Sequence, residues 1–284
     1  MIDPSAAPDA AAYGLRFRGL GDVPGLETAA ADFPAEPAVA VVQSTGTAPP
    51  PTPEQRVPGR SVRVLPDGRT LELVSRAGPG GAIGGAATLY GAPLPLPDLA
   101  HPYLTPVAVP FARWNGWEAF HGGVFATGSR AWVVRGARTA GKSSLLAGLA
   151  GQGVPVLADD MAVTDGSAVH AGPRSIDLRE PVPGVDLAQS DVRRGTRRRL
   201  LLPPVPRSLP LGGWLFLQWG EDIALRPVPP TAVLARLAVR RAHAHWPSDP
   251  SLLLALALRP AFDLVRPRRW DAVPAVIDAL LAQC

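Results

Sequence analysis

The chain has 284 residues, with 28 lysines and arginines against 24 aspartates and glutamates, and a formal net charge of +4 at pH 7. This length holds one large domain or two smaller ones, and a hydrophobic content of 46% is enough for a sizeable core. The only cysteine is Cys284, which excludes a disulfide framework and a cysteine-based metal site. No signal peptide is expected, and no apolar run approaches the roughly 20 residues of a membrane span, so we expect a cytoplasmic protein without a membrane partner.

Residues 1–100 predict a small β-rich module. Its predicted strands are 37–42, 61–64 and 70–74. The last two flank Pro66-Asp67-Gly68, a turn signal that favours a β-hairpin. A proline-rich stretch at 93–97 indicates a boundary, so we expect a second domain at 101–284, with the first module recruiting the substrate.

The second domain alternates predicted strands and helices, which is typical of an α/β fold. The predicted strands are 118–126, 131–135, 154–158, 161–164, 168–170, 212–219 and 222–226, and the predicted helices are 144–150, 231–242, 250–258 and 272–282. We expect strands 212–219 and 222–226 to pair with each other. The tail after them is expected to be helical.

A phosphate-binding motif lies between the predicted strand 131–135 and the predicted helix 144–150. It fits the P-loop pattern G-x-x-x-x-G-K-[ST] at every defined position. The expected nucleotide-binding residues here are Gly136, Ala137, Arg138, Thr139, Ala140, Gly141, Lys142, Ser143 and Ser144. The alternative is a chance glycine-rich turn. Lys142 argues against it, because this chain has 27 arginines and uses its only lysine at this position. A compact ammonium fits between two phosphates where a planar guanidinium does not.

Two adjacent carboxylates, Asp159 and Asp160, follow the next predicted strand, at the carboxyl edge of the sheet where ligands of α/β folds collect. Phosphoryl transfer needs a metal ligand, acidic groups and positive charge beside the phosphates. We expect Ser143 to bind Mg²⁺, and one carboxylate to position the metal while the other takes a proton. The alternative is that the pair only caps the turn that follows.

These motifs together resemble the catalytic domain of the HPr kinase/phosphorylase family. The resemblance lies in residues 121–123, 136–143, 157–160 and 170–173, and it covers about 115–245. It is closest to the HPr-kinase-related proteins of peptide natural-product gene clusters, the lasso-peptide type. It implies an α/β fold with a mixed sheet shared with phosphoenolpyruvate carboxykinases, ATP (or GTP) with Mg²⁺, a serine-type hydroxyl as acceptor, and a homo-oligomer.

The resemblance also implies roles for single residues. His121 matches a histidine that faces the phosphates, Asp159 the general base and Asp160 its partner and a metal ligand. Asp177 falls where the family has a metal-binding glutamate, and Arg179 where it has an arginine near the phosphates. The bulkier loop interior and the absence of the family's glycine-rich signature after the metal-binding residue argue against the HPr protein itself as substrate.

Weaker candidates lie elsewhere. A basic cluster could be a loop that closes over the phosphates or a solvated surface; its members are Arg193, Arg194, Arg197, Arg198 and Arg199. No aromatic platform accompanies it, so we do not expect nucleic acid as a partner. His170 lies on a predicted hairpin and could be a core, surface or functional histidine. His243 and His245 are interpreted as packing residues at a helix end, with a metal pair as the alternative.

Two functions remain open from the sequence. The first is an ATP-dependent kinase for a serine or threonine hydroxyl of a peptide or protein, such as a natural-product precursor, with a small-molecule hydroxyl as a variant of the same activity. The second is an accessory or scaffold protein that binds a nucleotide without transferring phosphate. The acidic pair separates them, because a pure binding module does not need it.

Overall fold

The structure is a computed structural model that describes residues 7–53, 56–185, 191–193 and 197–284. The chain divides into two compact units, with the boundary between Trp117 and Glu118. Among the described residues no helix is long and apolar enough to cross a membrane.

The first unit is built on a mixed seven-stranded sheet. Its strands are Ala10–Ala12 (β1), Leu15–Arg18 (β2), Glu27–Thr28 (β3), Ala38–Ser44 (β4), Arg60–Val64 (β5), Thr70–Ala77 (β6) and Ile83–Tyr90 (β7). They lie in the order β3-β1-β2-β4-β7-β6-β5. The strands β5 and β6 form the hairpin that the sequence predicts. The helical elements are Pro79–Gly81 (3₁₀), Leu96–Asp98 (α1), Leu99–Tyr103 (a π-helical turn) and Leu104–Trp114 (α2).

The unit boundary lies later in the chain than residue 100, where the sequence places it. The boundary lies later because α2, in which Val107 and Phe111 are completely buried, belongs to the first unit. Just after this helix the Asn115 side chain accepts a hydrogen bond from the Ile83 backbone N–H at 2.9 Å and donates one to the Ile83 carbonyl at 2.8 Å. The proline-rich stretch 93–97 therefore lies inside the first unit, and its last two residues begin α1.

The second unit has twelve strands among its described residues. They are Glu118–His121 (β8), Gly123–Thr127 (β9), Arg130–Arg135 (β10), Val156–Ala158 (β11), Met161–Thr164 (β12), Ala168–His170 (β13), Ser175–Leu178 (β14), Asp191–Arg193 (β15), Arg197–Leu201 (β16), Ser208–Trp219 (β17), Ala224–Pro227 (β18) and Ala261–Arg266 (β19). The helices are Lys142–Gly151 (α3), Pro230–Val239 (α4), Pro250–Ala257 (α5), Trp270–Ala272 (3₁₀) and Val273–Gln283 (α6).

Nine of these strands form one mixed sheet with helices on both faces. Along β10, Ala131 and Val133 pack with the residues of α4 and α5, whereas Trp132 and Val134 pack with those of α3 and α6. This alternation follows from the two-residue period of a strand, and it explains why the run is hydrophobic throughout. The mixed α/β architecture predicted from the sequence is confirmed. The strands β14, β16 and β15 form a separate small sheet.

The sheet brings four strand ends to one edge. The strand β17 is parallel to both β10 and β19, and β10 and β11 are both antiparallel to β9. The carboxyl ends of β10, β11, β17 and β19 therefore lie on the same side. The residues that follow or end these strands are Gly136, Asp159, Trp219 and Arg266.

Two strand predictions are wrong in detail. The predicted strand 118–126 is two strands, because the strand is interrupted at Gly122. The backbone of Gly122 comes so close to Val134 that a Cβ there would lie 2.6 Å from the Val134 carbonyl oxygen. The strands β17 and β18 do not pair with each other. Each pairs with β19, a strand in the tail that the sequence predicts to be helical. A parallel β17–β19 pair needs a long crossover, and α4 and α5 provide it.

Candidate active site

The phosphate-binding loop connects β10 to α3. A Cβ on Gly136 would lie 2.9 Å from the Ala140 Cβ, and one on Gly141 would lie 2.6 Å from an Arg266 guanidinium nitrogen. Gly141 also has φ +78°, which disfavours other residues. The close approaches at Gly136 and Gly141 explain the two defined glycines of the motif. Thr139 also has a positive φ of +68°, although it is not a glycine. The loop leads into the N-terminus of α3, which favours anions.

Lys142 folds back over the start of this loop. Its Nζ donates hydrogen bonds to the carbonyl oxygens of Gly136 and Ala137, each at 3.1 Å, and the residue is only 9% exposed. Burial lowers the Lys142 pKa, and the charges of Asp159 and Asp160 oppose that effect. The predicted phosphate-binding ammonium is therefore held at the loop next to both carboxylates.

Asp159 lies beside the loop, as the position of β11 predicts. The Ser143 hydroxyl donates a hydrogen bond to the Asp159 carboxylate at 3.1 Å. Burial, then the charges of Asp160 and Asp177, raise the pKa of Asp159 to about 7, against the lowering effects of Ser143 and Lys142. A carboxyl group with this pKa can accept a proton near neutral pH, which is what a general base needs.

Asp160 faces His121. The His121 Nδ1 lies 3.4 Å from an Asp160 carboxylate oxygen, and both side chains are partly exposed. Asp160 has φ +106°, and its carbonyl oxygen accepts a hydrogen bond from the Gly122 N–H at 3.0 Å. Non-glycine residues rarely occupy this region, and such strain concentrates at functional sites. The structure thus brings together Lys142, Ser143 and the two aspartates with His121; their roles in transfer stay predictions.

Asp177 sits in a buried ion pair. The Arg199 Nε donates to its carboxylate at 3.0 Å, and the two side chains are only 3% and 5% exposed. The two residues are direct partners in the antiparallel β14–β16 pair. Arg179, predicted to lie near the phosphates, is exposed just after β14. The metal-binding role of Asp177 and the nucleotide-binding role of Arg179 stay predictions.

The ion pair corrects the interpretation of the basic cluster. Arg197, Arg198 and Arg199 lie in the strand β16, not in a loop. Arg199 is buried, whereas Arg197 and Arg198 are exposed. The backbone of Arg193 belongs to β15, and Arg194 lies outside the described residues. Of these, Arg199 therefore has a structural partner and does not reach into an open site.

Arg199→Ala is expected to destabilise the protein strongly, because it leaves the buried Asp177 carboxylate without its guanidinium. Breaking such a pair costs about 3–5 kcal/mol. Thermal or urea unfolding measures the loss, and the exposed neighbour provides a matched control in Arg198→Ala. Equal stability of both variants would show that the pair contributes nothing.

Two residues that the sequence does not single out support the loop from the other side. The Arg266 guanidinium donates to the carbonyl oxygens of Ala140 at 2.7 Å and Gly141 at 3.3 Å. Arg266 lies over the Trp219 ring, 4.3 Å from its centroid. Burial lowers the Arg266 pKa to about 10. The only sequence signal for either residue is its position at the end of an apolar strand.

Arg266→Gln is expected to weaken nucleotide binding about tenfold, because the loop loses a charged donor to two of its carbonyls. Arg268→Gln is the matched control. Arg268 is exposed and lies over the same Trp219 ring, at 5.7 Å. Isothermal titration with ATP and Mg²⁺ compares the two variants, and equal affinities would remove the supporting role of Arg266.

The three weaker histidine candidates contact neighbouring side chains: His170 has an acidic partner, and His243 and His245 make ring contacts. The His170 Nε2 lies 3.2 Å from the Asp165 carboxylate within the β12–β13 hairpin, and this contact helps to lower the Asp165 pKa. The His243 ring stacks on Trp246 with 4.6 Å between centroids and lies 6.2 Å from the His245 ring.

The oxygen atoms present suit a magnesium ion bound together with a nucleotide. Mg²⁺ takes one or two protein oxygens plus phosphate oxygens and waters. The Ser143 hydroxyl and the neighbouring carboxylates offer such oxygens at the N-terminus of α3. Among the described residues, no group of three or more His, Cys, Asp or Glu side chains could hold a metal ion. The oxygens of Ser143 and the neighbouring carboxylates suit a metal that phosphate oxygens also coordinate.

Comparisons with known proteins find likenesses among solved structures and not among sequences. No family model matches the chain, and no curated protein matches it. Among solved structures, the HPr(Ser) kinase/phosphatase from Coxiella burnetii is similar with a TM-score of 0.32 and 10% sequence identity, over 58% of this chain and 94% of that chain. The narrower relation to lasso-peptide kinases stays a prediction.

Proposed function

We propose that this chain is an ATP-dependent kinase that transfers the γ-phosphate to a serine or threonine hydroxyl of a peptide or protein. The observation that carries this proposal is the hydrogen bond between Ser143 and Asp159. It puts a carboxyl group with a pKa of about 7 next to the first turn of the helix that follows the phosphate loop. A protein that only binds nucleotides can use a carboxylate there to position Mg²⁺, but it does not need one that accepts a proton near neutral pH.

In the proposed reaction the loop N–H groups and Lys142 bind the phosphates. The acceptor oxygen forms a bond to the γ-phosphorus, the bond from that phosphorus to the β–γ bridging oxygen breaks, and the hydroxyl proton passes to Asp159. Lys142 stabilises the charge on the transferring group, and His121 orients Asp160 beside it. Mg²⁺, when bound by Ser143 and a neighbouring carboxylate, would neutralise charge on the β- and γ-phosphates.

The proposed acceptor group is a serine or threonine hydroxyl. A more specific proposal is that this hydroxyl belongs to a precursor peptide in natural-product biosynthesis, and it rests on the resemblance of the motifs alone. GTP is the alternative nucleotide, and a homo-oligomer is the proposed assembly.

The test incubates the protein and Mg²⁺ with ATP labelled at the γ-phosphate. Serine- and threonine-containing peptides and small hydroxyl compounds are supplied in separate reactions. The proposal expects label on a peptide, and mass spectrometry should find a gain of one phosphate. Label on small compounds only would favour a metabolite kinase. ATP binding without transfer to any acceptor would favour the accessory protein.

A further inference from the structure

A cleft of about 660 Å³ opens beside the start of the phosphate loop, within the second unit. One wall is the loop itself at Gly136 and Ala137, and another is the end of β17 at Gln218. The cleft is large enough for a small ligand or a few residues of a peptide. Because side chains alternate along a strand, Gln218 faces this cleft whereas Trp219 lies on the opposite side with Arg266.

The lining of the cleft is strongly basic. It includes His121, Arg135, Arg138, Arg236 and Arg240, and no acidic residue lines it in the part of the chain that the structure describes. Two of these residues face acids outside the lining. Arg236 makes a paired contact to Asp263 at 2.6 and 3.1 Å, and His121 faces Asp160.

The other three arginines of the lining, Arg135, Arg138 and Arg240, bring like charges into one cleft. The buried Arg135 guanidinium donates to the carbonyl oxygens of Arg236 at 3.5 Å and of Arg240. Burial and then the charge of Arg240 lower the Arg135 pKa to about 10. Arg138 and Arg240 are exposed at the cleft. Like charges in one pocket repel each other, and a bound anion relieves that repulsion.

The position of the cleft indicates whether the anion that it binds belongs to the nucleotide or to the phosphate acceptor. Lys142 binds the carbonyl oxygens of Gly136 and Ala137, the same two residues that form the cleft wall. His121, which faces Asp160, is at the cleft as well. The cleft thus adjoins the side of the site where His121 and Asp160 lie.

We propose that this cleft binds an acidic group of the phosphate acceptor, a carboxylate or a phosphate, carried close to the reacting hydroxyl. This rests on the proposed kinase activity, since it assigns the acceptor end of the site. Arg240 and Arg138 contact the anion from the open side, and Arg135 supplies positive charge from below. The substrate class is therefore an acidic peptide or a small hydroxyl compound with an anionic group.

The test measures acceptor binding directly, with the nucleotide site saturated by a non-hydrolysable ATP analogue and Mg²⁺. The probe is a fluorescent peptide with one serine flanked by glutamates, compared with the same peptide carrying glutamines. We expect tighter binding of the acidic peptide, and a loss of about tenfold or more in Arg240→Gln. Arg130→Gln is the control, because Arg130 is exposed at the opposite end of β10. Glycerol 3-phosphate is the competitor that reveals whether a small anion fills the same cleft.

Each outcome supports or overturns the cleft independently of catalysis. Equal binding of the acidic and neutral peptides, or equal losses in Arg240→Gln and Arg130→Gln, would overturn it. So would an acidic probe that competes with the nucleotide, because the cleft would then belong to the nucleotide site. If glycerol 3-phosphate displaces the fluorescent acidic peptide, a small anion fills the same cleft and a small acceptor is supported. Acidic binding through Arg240 without any phosphate transfer would keep the cleft and reject the kinase.

Discussion

Replacement of Asp159 by asparagine is expected to lower phosphate transfer by about 10²–10⁴-fold, the contribution typical of a general base. Nucleotide affinity should change little, because the amide oxygen of asparagine can still accept the Ser143 hydrogen bond at 3.1 Å. The experiment compares transfer rate and ATP affinity in the same protein. Asp160→Asn is the matched variant, and it should lose less because Asp160 does not itself take the proton. Full activity of Asp159→Asn would remove Asp159 from the base role.

The raised pKa of Asp159 also predicts pH effects with a definite sign. The wild-type kcat/KM should rise with pH and level off above an inflection near 7.

Because the pKa of Asp159 in the folded protein lies above its value in the unfolded chain, this group stabilises the protein at acidic pH, and the stabilisation is lost as pH rises through 7. Asp159→Asn should therefore be more stable than wild type at pH 8, by on the order of 2 kcal/mol after solvent screening, and the difference should shrink at pH 5. Thermal unfolding at the two pH values tests this, and an unchanged difference would contradict the raised pKa.

Replacement of Lys142 by alanine or by arginine is expected to lower transfer by about 10²–10³-fold, the cost of removing a positioned charge at the reacting group. The arginine variant keeps the charge. It should nevertheless fail, because the ammonium fits a narrow space over two carbonyl oxygens at 3.1 Å and a planar guanidinium does not match it. Steady-state rates and ATP affinities measure both variants. Wild-type activity of Lys142→Arg would show that charge alone is enough.

The lone lysine offers a control on the native protein. An amine-directed reagent has one side-chain target, Lys142, and peptide mass mapping separates it from the terminal amine. ATP with Mg²⁺ should protect Lys142 from modification. Modification at the same rate with and without ATP would show that the phosphates do not reach this residue.

The loop and the acidic pair could be predicted because their geometry is local. A strand, a glycine loop and a helix follow one another in the chain, and Asp159 comes directly after the next strand, so its edge of the sheet is determined by the strand direction. The hydrogen bond from Ser143 spans only 16 residues. The strain at Asp160 is not visible in the sequence, since it depends on how β11 turns into β12.

The parts that could not be predicted depend on long-range pairing. Arg266 reaches the loop from 126 residues away, through a parallel strand that no local pattern distinguishes from a helical tail. The Arg199–Asp177 pair joins residues 22 positions apart in the chain, and it depends on the register of two strands. The split at Gly122 depends on the close approach of Val134, a contact between strands. In each case the residue type is visible in the sequence, and its partner is not.

The most direct measurement of the proposed kinase activity follows γ-labelled ATP in wild type and in Asp159→Asn, with serine- and threonine-containing acceptors and with ATP binding measured on the same samples. The kinase predicts label on an acceptor hydroxyl with wild type, and near-complete loss of label in the variant despite retained ATP binding. ATP binding by both proteins with no labelled acceptor from either, or equal labelling by both, would contradict it.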